Sequence, residues 1–380
     1  MGGILATKEK QSRRTSQSRR ALLLAAPAAM AGAFVGSSAL AATLGGSSAR
    51  VGVLLPQSER IPGMTASWRA AFVAELAVRE PSIKPQFASF HVGAYRAQDA
   101  AKQLLDDGFN VLTGIFNANL AFGLRDSLQQ HNAIFLVSDL GANAIRQRRE
   151  HERVVRVGPN LGRLSFAAGA RLAAQGHRIA LVAASFYESG YDLPNAFREG
   201  FLSAGGQRVQ VVVTGTPELP AGDDGFARIA SALSADRPDV VWALYSGREA
   251  GRFLSFAATG VDASVKVSGL ASMVDGMPDM AAVGAGTLQL TLADSRATNI
   301  ADGSVSLFAS MGAVAARSVA DWSQRGVLRP NSWSPEMQSG SLVALADGRP
   351  ARCTSLAVPP TMDALLRNDS SSGWVSPYGA

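Results

Sequence analysis

Two stretches of the chain repeat the same order of apolar runs and helical patterns at nearly the same spacing. The separation of Val51 from Val111 in the first stretch differs by a single position from the separation of Ile179 from Val240 in the second. The apolar run that comes next also begins at nearly the same distance in both stretches. Apolar runs that alternate with helical patterns are typical of parallel α/β folds, and a matching pair indicates two lobes of similar construction. The predicted fold class is therefore α/β, with two Rossmann-like lobes that each contain a parallel sheet.

The predicted strands and helices follow the periodicity of the apolar residues. We expect strands at residues 49–56, 86–91, 110–116 and 133–139 in the first stretch and at 177–185, 208–214, 239–246 and 264–269 in the second. We expect helices at 65–78, 99–107, 121–130, 164–175, 193–204, 225–235 and 248–258. Beyond them the pattern predicts a connection or edge strand at 286–295, a helix at 300–324 and a strand at 341–345 that enters a tight turn.

Residues 153–192 contain the predicted change from one lobe to the other. Pro159 and Asn160 interrupt the apolar run that begins at Arg153, which ends strand pairing and lets the backbone change direction. We therefore interpret residues 154–160 as a connection between the lobes. The run IALVAAS that follows is the first strand of the second lobe, and FYESGYD is a polar, aromatic loop behind it.

The segment from Met1 to Ala41 has the composition of an export signal. Six basic residues stand against Glu9, an apolar run covers residues 21–35, and Ala39-Leu40-Ala41 matches a cleavage site. Residues 18–23, SRRALL, resemble the twin-arginine signal of bacterial export to the periplasm. The alternative is an uncleaved anchor, but Pro27 and several small residues keep the apolar stretch shorter than a span of ~20 residues. We expect export to the periplasm, with the signal cleaved near Ala41.

The same segment accounts for most of the positive charge of the chain. Its basic excess supplies nearly all of the formal net charge of +6, so the remainder gives no general case for a nucleic-acid partner. Cys353 is the single cysteine, so the chain has no internal disulfide. A buried, small apolar side chain explains this residue better than a nucleophile does.

Local catalytic and metal-binding motifs are absent from the sequence. The four histidines are scattered and form no H-E-x-x-H pair. There is no G-x-x-x-x-G-K-[ST] phosphate loop, no G-x-G-x-x-G after a strand and no G-x-S-x-G elbow. We therefore expect no cofactor, no metal and no enzymatic activity, although a two-lobed α/β enzyme assembled from distant residues stays open as an alternative.

Polar and aromatic residues follow the predicted strands at their carboxyl ends, where ligands gather in parallel α/β sheets. If the two lobes face each other, these residues line one cleft, with amides and hydroxyls to donate hydrogen bonds and tyrosines as flat walls. They are Asn117, Asn119, Ser138 and Asp139 in the first lobe and Tyr187, Tyr191, Tyr245, Ser246 and Gly269 in the second. The alternative for the asparagines and the serine is the capping of helices or turns, and for Tyr187 and Tyr191 it is packing.

The order and spacing of these segments resemble the type I periplasmic binding proteins, specifically the leucine-binding-like receptors of branched-chain amino acid ABC transporters. The resemblance rests on the segments VGVLLP, NVLTGIFNAN, AIFLVSD, VVRVGPN, IALVAASFYESGYD and PDVVWALYSGREAGRFLSFAATG followed by VKVSGLAS. The resemblance implies two lobes joined by three hinge crossings, and closure that traps a small solute for a membrane permease. It divides the chain into lobe I, residues 50–157 with 293–332, and lobe II, residues 158–292 with 333–368, followed by a tail at 369–380.

The resemblance also implies roles for individual positions. Ser138, Gly141 and Ala142 stand where backbone and hydroxyl groups hold a ligand carboxylate, and Gly269 to Ala271 stand at the matching place in lobe II. Amino-acid receptors of this kind place an acidic residue near Ala271 to meet the ligand ammonium, and this chain does not. An amide, an aromatic acid or another small solute is therefore as plausible as an amino acid, because an unpaired ammonium is poorly compensated in a closed cleft.

We expect an exported, monomeric solute-binding protein. It would capture a small polar solute, amino-acid-like, amide or small carboxylate, and deliver it to an ABC transporter permease in the inner membrane. The alternative is a sensory or regulatory module with the same lobes, which reports the ligand to a different partner. We further expect Tyr245→Ala to weaken solute binding without unfolding the protein, because the residue lies at a strand end that faces the cleft.

Overall fold

The computed structural model describes residues 49–57, 61, 63–91, 94–142, 153–215, 223–275, 288–292, 306–325, 340–346 and 349–356. The predicted export signal, the tail and the tight turn after residue 346 lie outside the described residues. All described residues belong to one compact unit, residues 48–380. Among them, no helix is both long enough and apolar enough to span a membrane.

Lobe I contains a five-stranded parallel sheet in the order β2-β1-β3-β4-β5. Its first three strands alternate with helices, and two short helices precede the fourth. The elements are β1 Val51–Gln57, α1 Met64–Arg79, β2 Gln86–His91, α2 Ala94–Asp106, β3 Val111–Ile115, α3 Ala118–Phe122, α4 Arg125–Gln130, β4 Ile134–Ser138 and β5 Val154–Arg156. The central strands are buried along nearly their whole length because helices cover both faces of a parallel sheet.

Lobe II contains a seven-stranded sheet in the order β12-β11-β10-β9-β8-β6-β7. The last two strands of the chain are antiparallel, and the other five are parallel. The elements are α5 Leu161–Ala174, β6 Ile179–Ser185, α6 Phe186–Ser189, α7 Leu193–Ser203, β7 Arg208–Thr214, α8 Asp223–Asp236, β8 Val240–Leu244, α9 Gly247–Gly260, β9 Lys266–Leu270, a 3₁₀ turn Ala271–Met273, β10 Leu288–Leu292, β11 Gly340–Ala346 and β12 Arg349–Leu356. One further helix, α10 Leu307–Arg325, lies between β10 and β11 in the sequence.

The parallel strands of the two lobes have the same order, which confirms the predicted α/β fold with two similar lobes. The order β7-β6-β8-β9-β10 repeats β2-β1-β3-β4-β5 when the strands are counted along the chain. The register refines the spacing that the sequence indicated. Val51 pairs with Val111 and Ala180 pairs with Val240, so the first offset is identical in the two lobes.

The chain passes from one lobe to the other three times, and the helix after each of the first two passages packs on the lobe that the chain has entered. After β5 of lobe I, α5 packs against α7 and contacts β10 and β12 of lobe II. After β10 of lobe II, α10 packs against α1 and contacts β3 and β4 of lobe I. The chain then returns to lobe II for β11. We call α5 and α10 the crossing helices.

Several local predictions differ from the structure. The run predicted as a connection or edge strand at 286–295 forms β10, which pairs with β9 on one side and β11 on the other. The single helix predicted at 121–130 is divided into α3 and α4 at Gly123 and Leu124. FYES, predicted as loop, forms the one-turn helix α6, because the Ser185 hydroxyl caps its amino end. The antiparallel strand β12 was not predicted.

Candidate functional site

In lobe I, the loop after β3 places Asn117 and Asn119 on the surface at the carboxyl edge of the sheet. The Asn117 side-chain oxygen caps α3, because it accepts hydrogen bonds from the amides of Asn119 at 2.9 Å and Leu120 at 3.3 Å. Asn117 therefore caps a helix, which is the alternative that the sequence left open for this residue. The cap fixes the amide group of Asn117 at the carboxyl edge of the sheet.

The loop after β4 contains the next predicted site residues. Ser138 is fully buried, and its hydroxyl accepts a hydrogen bond of 3.1 Å from the indole nitrogen of Trp68 in α1. The Ser138 side chain therefore lies on the face of the sheet covered by α1, which differs from the predicted position in a cleft. Gly141 and Ala142 follow, and Gly141 has a φ of 63°, a left-handed conformation that favours glycine.

Asp139 lies at the edge of lobe I beside Arg156, the last residue of β5. The guanidinium Nε of Arg156 is 3.5 Å from an Asp139 carboxylate oxygen, and the two side chains are 11% and 18% exposed. Burial raises the pKa of Asp139, although Arg156 and the amides of Gly141 and Leu140 act in the opposite direction. The amides of Leu140 and Gly141 thus donate hydrogen bonds to the Asp139 carboxylate of the chain itself.

In lobe II, a buried carboxylate joins the ends of β6 and β8. Glu188 of α6 accepts a hydrogen bond from the Ser185 hydroxyl and a second, of 2.5 Å, from the Ser246 hydroxyl. All three side chains are less than a tenth exposed. Glu249, in the first turn of α9, is buried as well. The two hydrogen bonds to one buried side chain connect the end of β6 with the residue pair after β8, so Glu188 holds these two strand ends together.

Tyr245 follows β8, as predicted, but its ring belongs to the core of lobe II. The ring is 1% exposed and stacks on Phe253 with centroids 4.6 Å apart. Its hydroxyl lies 3.0 Å from the Thr214 hydroxyl, and burial raises the pKa of Tyr245. The predicted role as a wall of a cleft is therefore corrected, and Tyr245→Ala would mainly remove core packing. Tyr187 is 39% exposed, and its ring meets Phe186 edge to face.

The segment after β9 contains the remaining predicted positions. Ala271 is fully buried, and Gly269 has no room for a side chain, because a Cβ atom there would lie 2.2 Å from the Met273 sulfur and 2.8 Å from the Ala243 carbonyl oxygen. Asp275, a short way beyond Ala271, accepts hydrogen bonds from the Ser306 hydroxyl at 2.8 Å and the Phe308 amide at 3.0 Å. The acidic side chain nearest to Ala271 in this segment is therefore bound to the amino end of α10.

One backbone hydrogen bond joins a predicted site residue of lobe I to the chain neighbour of a predicted site residue in lobe II. The Asp192 amide, beside Tyr191 in lobe II, donates to the Ala142 carbonyl oxygen in lobe I at 3.1 Å. The loop after β4 and the start of α7 therefore meet across the lobes. Gly141 of lobe I also accepts a hydrogen bond from lobe II, from the Gly162 amide at 2.9 Å, whereas Asn117 contacts Asn119 and Ser246 contacts Glu188 within one lobe.

Sequence analysis missed two groups of buried, charged residues. Glu188 lies inside the segment FYESGYD, from which only the aromatic residues were predicted to contact a ligand. Glu249 lies in the first turn of a helix, where an acidic residue is common and indicates no special role. Arg156 and Asp139 are well separated in the sequence, and only the pairing of β4 with β5 brings them together. The available signal for Glu188 was an acidic residue shortly after an apolar strand, beyond Phe186 and Tyr187, with a helical pattern behind it.

Solved structures with the same fold include solute-binding proteins of ABC transporters. One from R. palustris in complex with 4-hydroxybenzoate is 17% identical, with a TM-score of 0.63 over 83% of this chain and 99% of that one. A branched-chain amino acid ABC transporter periplasmic ligand-binding protein from Burkholderia xenovorans is 11% identical, with a TM-score of 0.61 over 81% and 96%. The leucine-binding protein LivK from Thermotoga maritima is 14% identical, with a TM-score of 0.58 over 83% and 99%. None of the curated proteins matches the chain.

These likenesses define the class as a type I periplasmic binding fold, as the sequence resemblance predicted. The profile of the family described as "Periplasmic binding protein" matches residues 48–327, well over half of the chain. The chain belongs to this family of periplasmic solute-binding proteins.

Proposed function

We propose that the chain is an exported protein that captures a small polar solute between lobes I and II and delivers it to an ABC permease. The hydrogen bond between Asp192 of lobe II and Ala142 of lobe I supports this function most directly, because it joins the carboxyl-end loops of the two sheets. In parallel α/β sheets these loops and the helix amino ends are where small ligands bind. The family match begins at residue 48, after the predicted cleavage near Ala41, which agrees with an export signal that precedes the lobes.

Small carboxylates, aromatic ones in particular, are the solute class we favour over amino acids. A bound α-ammonium needs an acidic partner, but Asp139 already pairs with Arg156, and Asp275 is committed to the amino end of α10. The Glu188 carboxylate already accepts two serine hydroxyls. Solved structures of the same fold contain benzoate, 4-hydroxybenzoate and 3,4-dihydroxybenzoic acid. The half-buried ring of Phe186 and the exposed ring of Tyr187 would supply an apolar wall for such a solute.

The proposed contacts follow the geometry of the two edges. In lobe I the solute would meet Asn117, Asn119 and the loop from Asp139 through Gly141 to Ala142. In lobe II it would meet Tyr187, Tyr191 and the strand end at Ser246, while the buried Gly269 and Ala271 would lie behind this surface. Ser138 and Tyr245 would act from behind these surfaces, because their side chains are engaged in the cores.

A thermal-shift series with benzoate, 4-hydroxybenzoate, leucine and acetamide tests the proposal. A ligand that binds only the folded protein at about 100 times its Kd adds about 2.7 kcal/mol to the free energy of unfolding, which raises the melting temperature by several degrees. We expect that shift with an aromatic carboxylate. A shift with leucine alone would contradict the solute class, and no shift with any of the four at millimolar concentration would contradict the binding function.

Tyr187→Ala provides the matched site variant, with Val211→Ala as its control. Both side chains are 39% exposed, so neither truncation opens the core. Val211 lies in the edge strand β7. Calorimetric titration with the active compound should show binding weakened about tenfold or more by Tyr187→Ala, the usual effect of losing a buried aromatic contact of about 1.4 kcal/mol or more. Equal affinities of the two variants would remove Tyr187 from the proposed site.

A further inference from the structure

The amino ends of both crossing helices are held by acceptors that belong to the opposite lobe. At α5 of lobe II, the Leu161 amide donates to the Leu140 carbonyl oxygen at 3.0 Å. The next amide, that of Gly162, donates to the Gly141 carbonyl oxygen at 2.9 Å. Both acceptors lie in the loop after β4 of lobe I. The first amides of a helix have no partner inside the helix, so these contacts satisfy groups that would otherwise cost stability when buried.

At α10 of lobe I, one carboxylate of lobe II replaces the two carbonyl groups. Asp275 accepts from the Phe308 amide at 3.0 Å, and the Leu307 amide also donates to it. The Ser306 hydroxyl donates to the same carboxylate at 2.8 Å. Asp275 is 4% exposed, so these donors rather than water complete its hydrogen bonding. A carboxylate at this place also interacts favourably with the dipole of the helix.

The two helix starts correspond residue by residue. Asn160 precedes α5, and its side-chain oxygen accepts from the Arg163 amide at 3.1 Å. Ser306 precedes α10, and its hydroxyl oxygen accepts from the Ala309 amide at 3.1 Å. In each case the side chain of the residue before the helix accepts a hydrogen bond from the third amide of the helix. Acceptors in the opposite lobe bind the first two amides. The two crossings therefore have the same construction, with two backbone acceptors in one and a single side chain in the other.

We propose that Asp275 is the hinge residue that fixes lobe I against lobe II at the second crossing and thereby sets how widely the lobes open. The corresponding support at α5 is backbone and is the same for any side chain. The support at α10 depends on one carboxylate, so a substitution there releases two helix amides and a hydroxyl together. The lobes then lose one of the two supports described at the starts of the crossing helices and sample a wider range of relative orientations. Asp275 acts through the hinge and does not need to touch the solute.

Distances between spin labels on the two lobes test this inference without any solute. The labels are placed at Val78→Cys on α1, whose side chain is 83% exposed, and at Thr259→Cys on the exposed end of α9. Cys353→Ser removes the only native cysteine. Double electron–electron resonance then measures the distance distribution for Asp275→Ala, Asp275→Asn and Ser306→Ala. We expect Asp275→Ala to broaden the distribution about twofold and Asp275→Asn, which keeps one acceptor oxygen, to broaden it less.

Asp262→Ala is the matched control. Asp262 also accepts one backbone amide and one serine hydroxyl, from Ser264 at 2.8 and 2.6 Å, but entirely within an exposed turn of lobe II. Its variant should reproduce the parent distribution. If Asp275→Ala does not fold, Asp275→Asn and Ser306→Ala decide the outcome, because both preserve most of the packing. Distributions of these two that match the Asp262→Ala control would overturn the hinge role, whatever the solute experiments show.

Discussion

Asp239 and Asn110 accept equivalent backbone hydrogen bonds at the amino edges of the two sheets. Asn110 precedes β3, and its side-chain oxygen accepts from the Arg50 amide at 2.9 Å. Asp239 precedes β8, and one carboxylate oxygen accepts from the amides of Arg178 at 2.6 Å and Ile179 at 2.9 Å. Arg50 and Ile179 lie at equivalent positions, at the same separation from their acceptors. Lobe I thus shows that a neutral amide fits this position, whereas lobe II uses a charge.

Asp239→Asn should lower stability in a pH-dependent way. Burial raises the pKa of Asp239, but the amides of Arg178 and Ile179, His177 and the Arg178 side chain lower it overall. A carboxylate with a lowered pKa stabilises the fold fully above its unfolded pKa of about 3.9, and this contribution is lost as the pH falls through the folded value. We expect a loss of about 1 kcal/mol or less at pH 7, reduced by partial exposure, in urea unfolding.

The difference between the parent protein and Asp239→Asn should remain constant from pH 7 to about 5 and shrink below about 4. The reciprocal change Asn110→Asp is the control, because it introduces the charge into the other lobe. A deficit for Asp239→Asn that stays constant below about pH 3 would show that the shape of the acceptor matters rather than its charge.

At the level of single residues, the sequence predicted positions along the strands better than it predicted the directions of side chains. It correctly placed Tyr245 and Ser138 after β8 and at the end of β4. A one-residue change of register moves a side chain to the other face of a sheet, and only the covering helix decides whether it meets solvent. Phe253 of α9 and Trp68 of α1 contact these two side chains. Neither contact is encoded within the strand.

At the scale of the helices and strands, each crossing helix packs so closely on a second helix that a side chain does not fit between them at one glycine. A Cβ atom on Gly312 of α10 would lie 2.1 Å from the Trp68 carbonyl oxygen of α1. In lobe II, a Cβ on Gly169 of α5 would lie 2.3 Å from the Phe197 carbonyl oxygen of α7. Each crossing helix therefore approaches the backbone of its partner directly. This close approach anchors the chain in the lobe that it has just entered.

Gly312→Ala should destabilise the protein by about 1–3 kcal/mol, because the obstructing atoms are backbone and cannot rotate away. Alanine otherwise favours a helix over glycine by about 1 kcal/mol, so the intrinsic preference acts in the opposite direction. Gly260→Ala at the end of α9 is the control, since the atoms nearest to its Cβ would belong to the side-chain ring of Phe256, which can move. Urea unfolding measures both variants. Equal midpoints for the two would show that α10 and α1 can separate without cost.

The elements themselves followed from the periodicity, and the exceptions have physical causes. The predicted bounds of β2 and β7 agree with the structure, because apolar runs bounded by turn residues define strands well. The break at Gly123 between α3 and α4 and the one-turn helix α6 depend on local capping, which apolar periodicity does not detect. β12 has few apolar residues and depends on its pairing with β11.

On the scale of the whole molecule, each lobe includes a crossing helix that the chain adds directly after it has left the other lobe. The chain leaves lobe I to place α5 on lobe II and leaves lobe II to place α10 on lobe I. The sequence repeat predicted two similar lobes, but it contained no sign of the supports at the helix starts. Leu140 and Leu161, for example, meet only because the loop after β4 turns back against α5. The hinge is therefore a property of the assembled chain.

This arrangement predicts two kinds of hydrogen bond between the lobes. Those at the starts of α5 and α10 lie at the crossings and persist while the lobes move. The bond from the Asp192 amide to the Ala142 carbonyl oxygen joins the two edge loops, and opening of the lobes breaks it. Amide hydrogen exchange in the solute-free protein measures the difference, because an amide exchanges when its own bond opens.

We expect the Asp192 amide to exchange about tenfold faster than the amides of Gly162 and Phe308, a difference of about 1.4 kcal/mol in opening free energy. Saturation with a compound that raises the melting temperature should remove most of the difference, since a solute bound between the lobes favours the closed form. The Ala183 amide in the centre of β6 serves as a control, because lobe motion leaves that strand intact. If Asp192 is already as protected as Gly162 without solute, the lobes do not open at this edge.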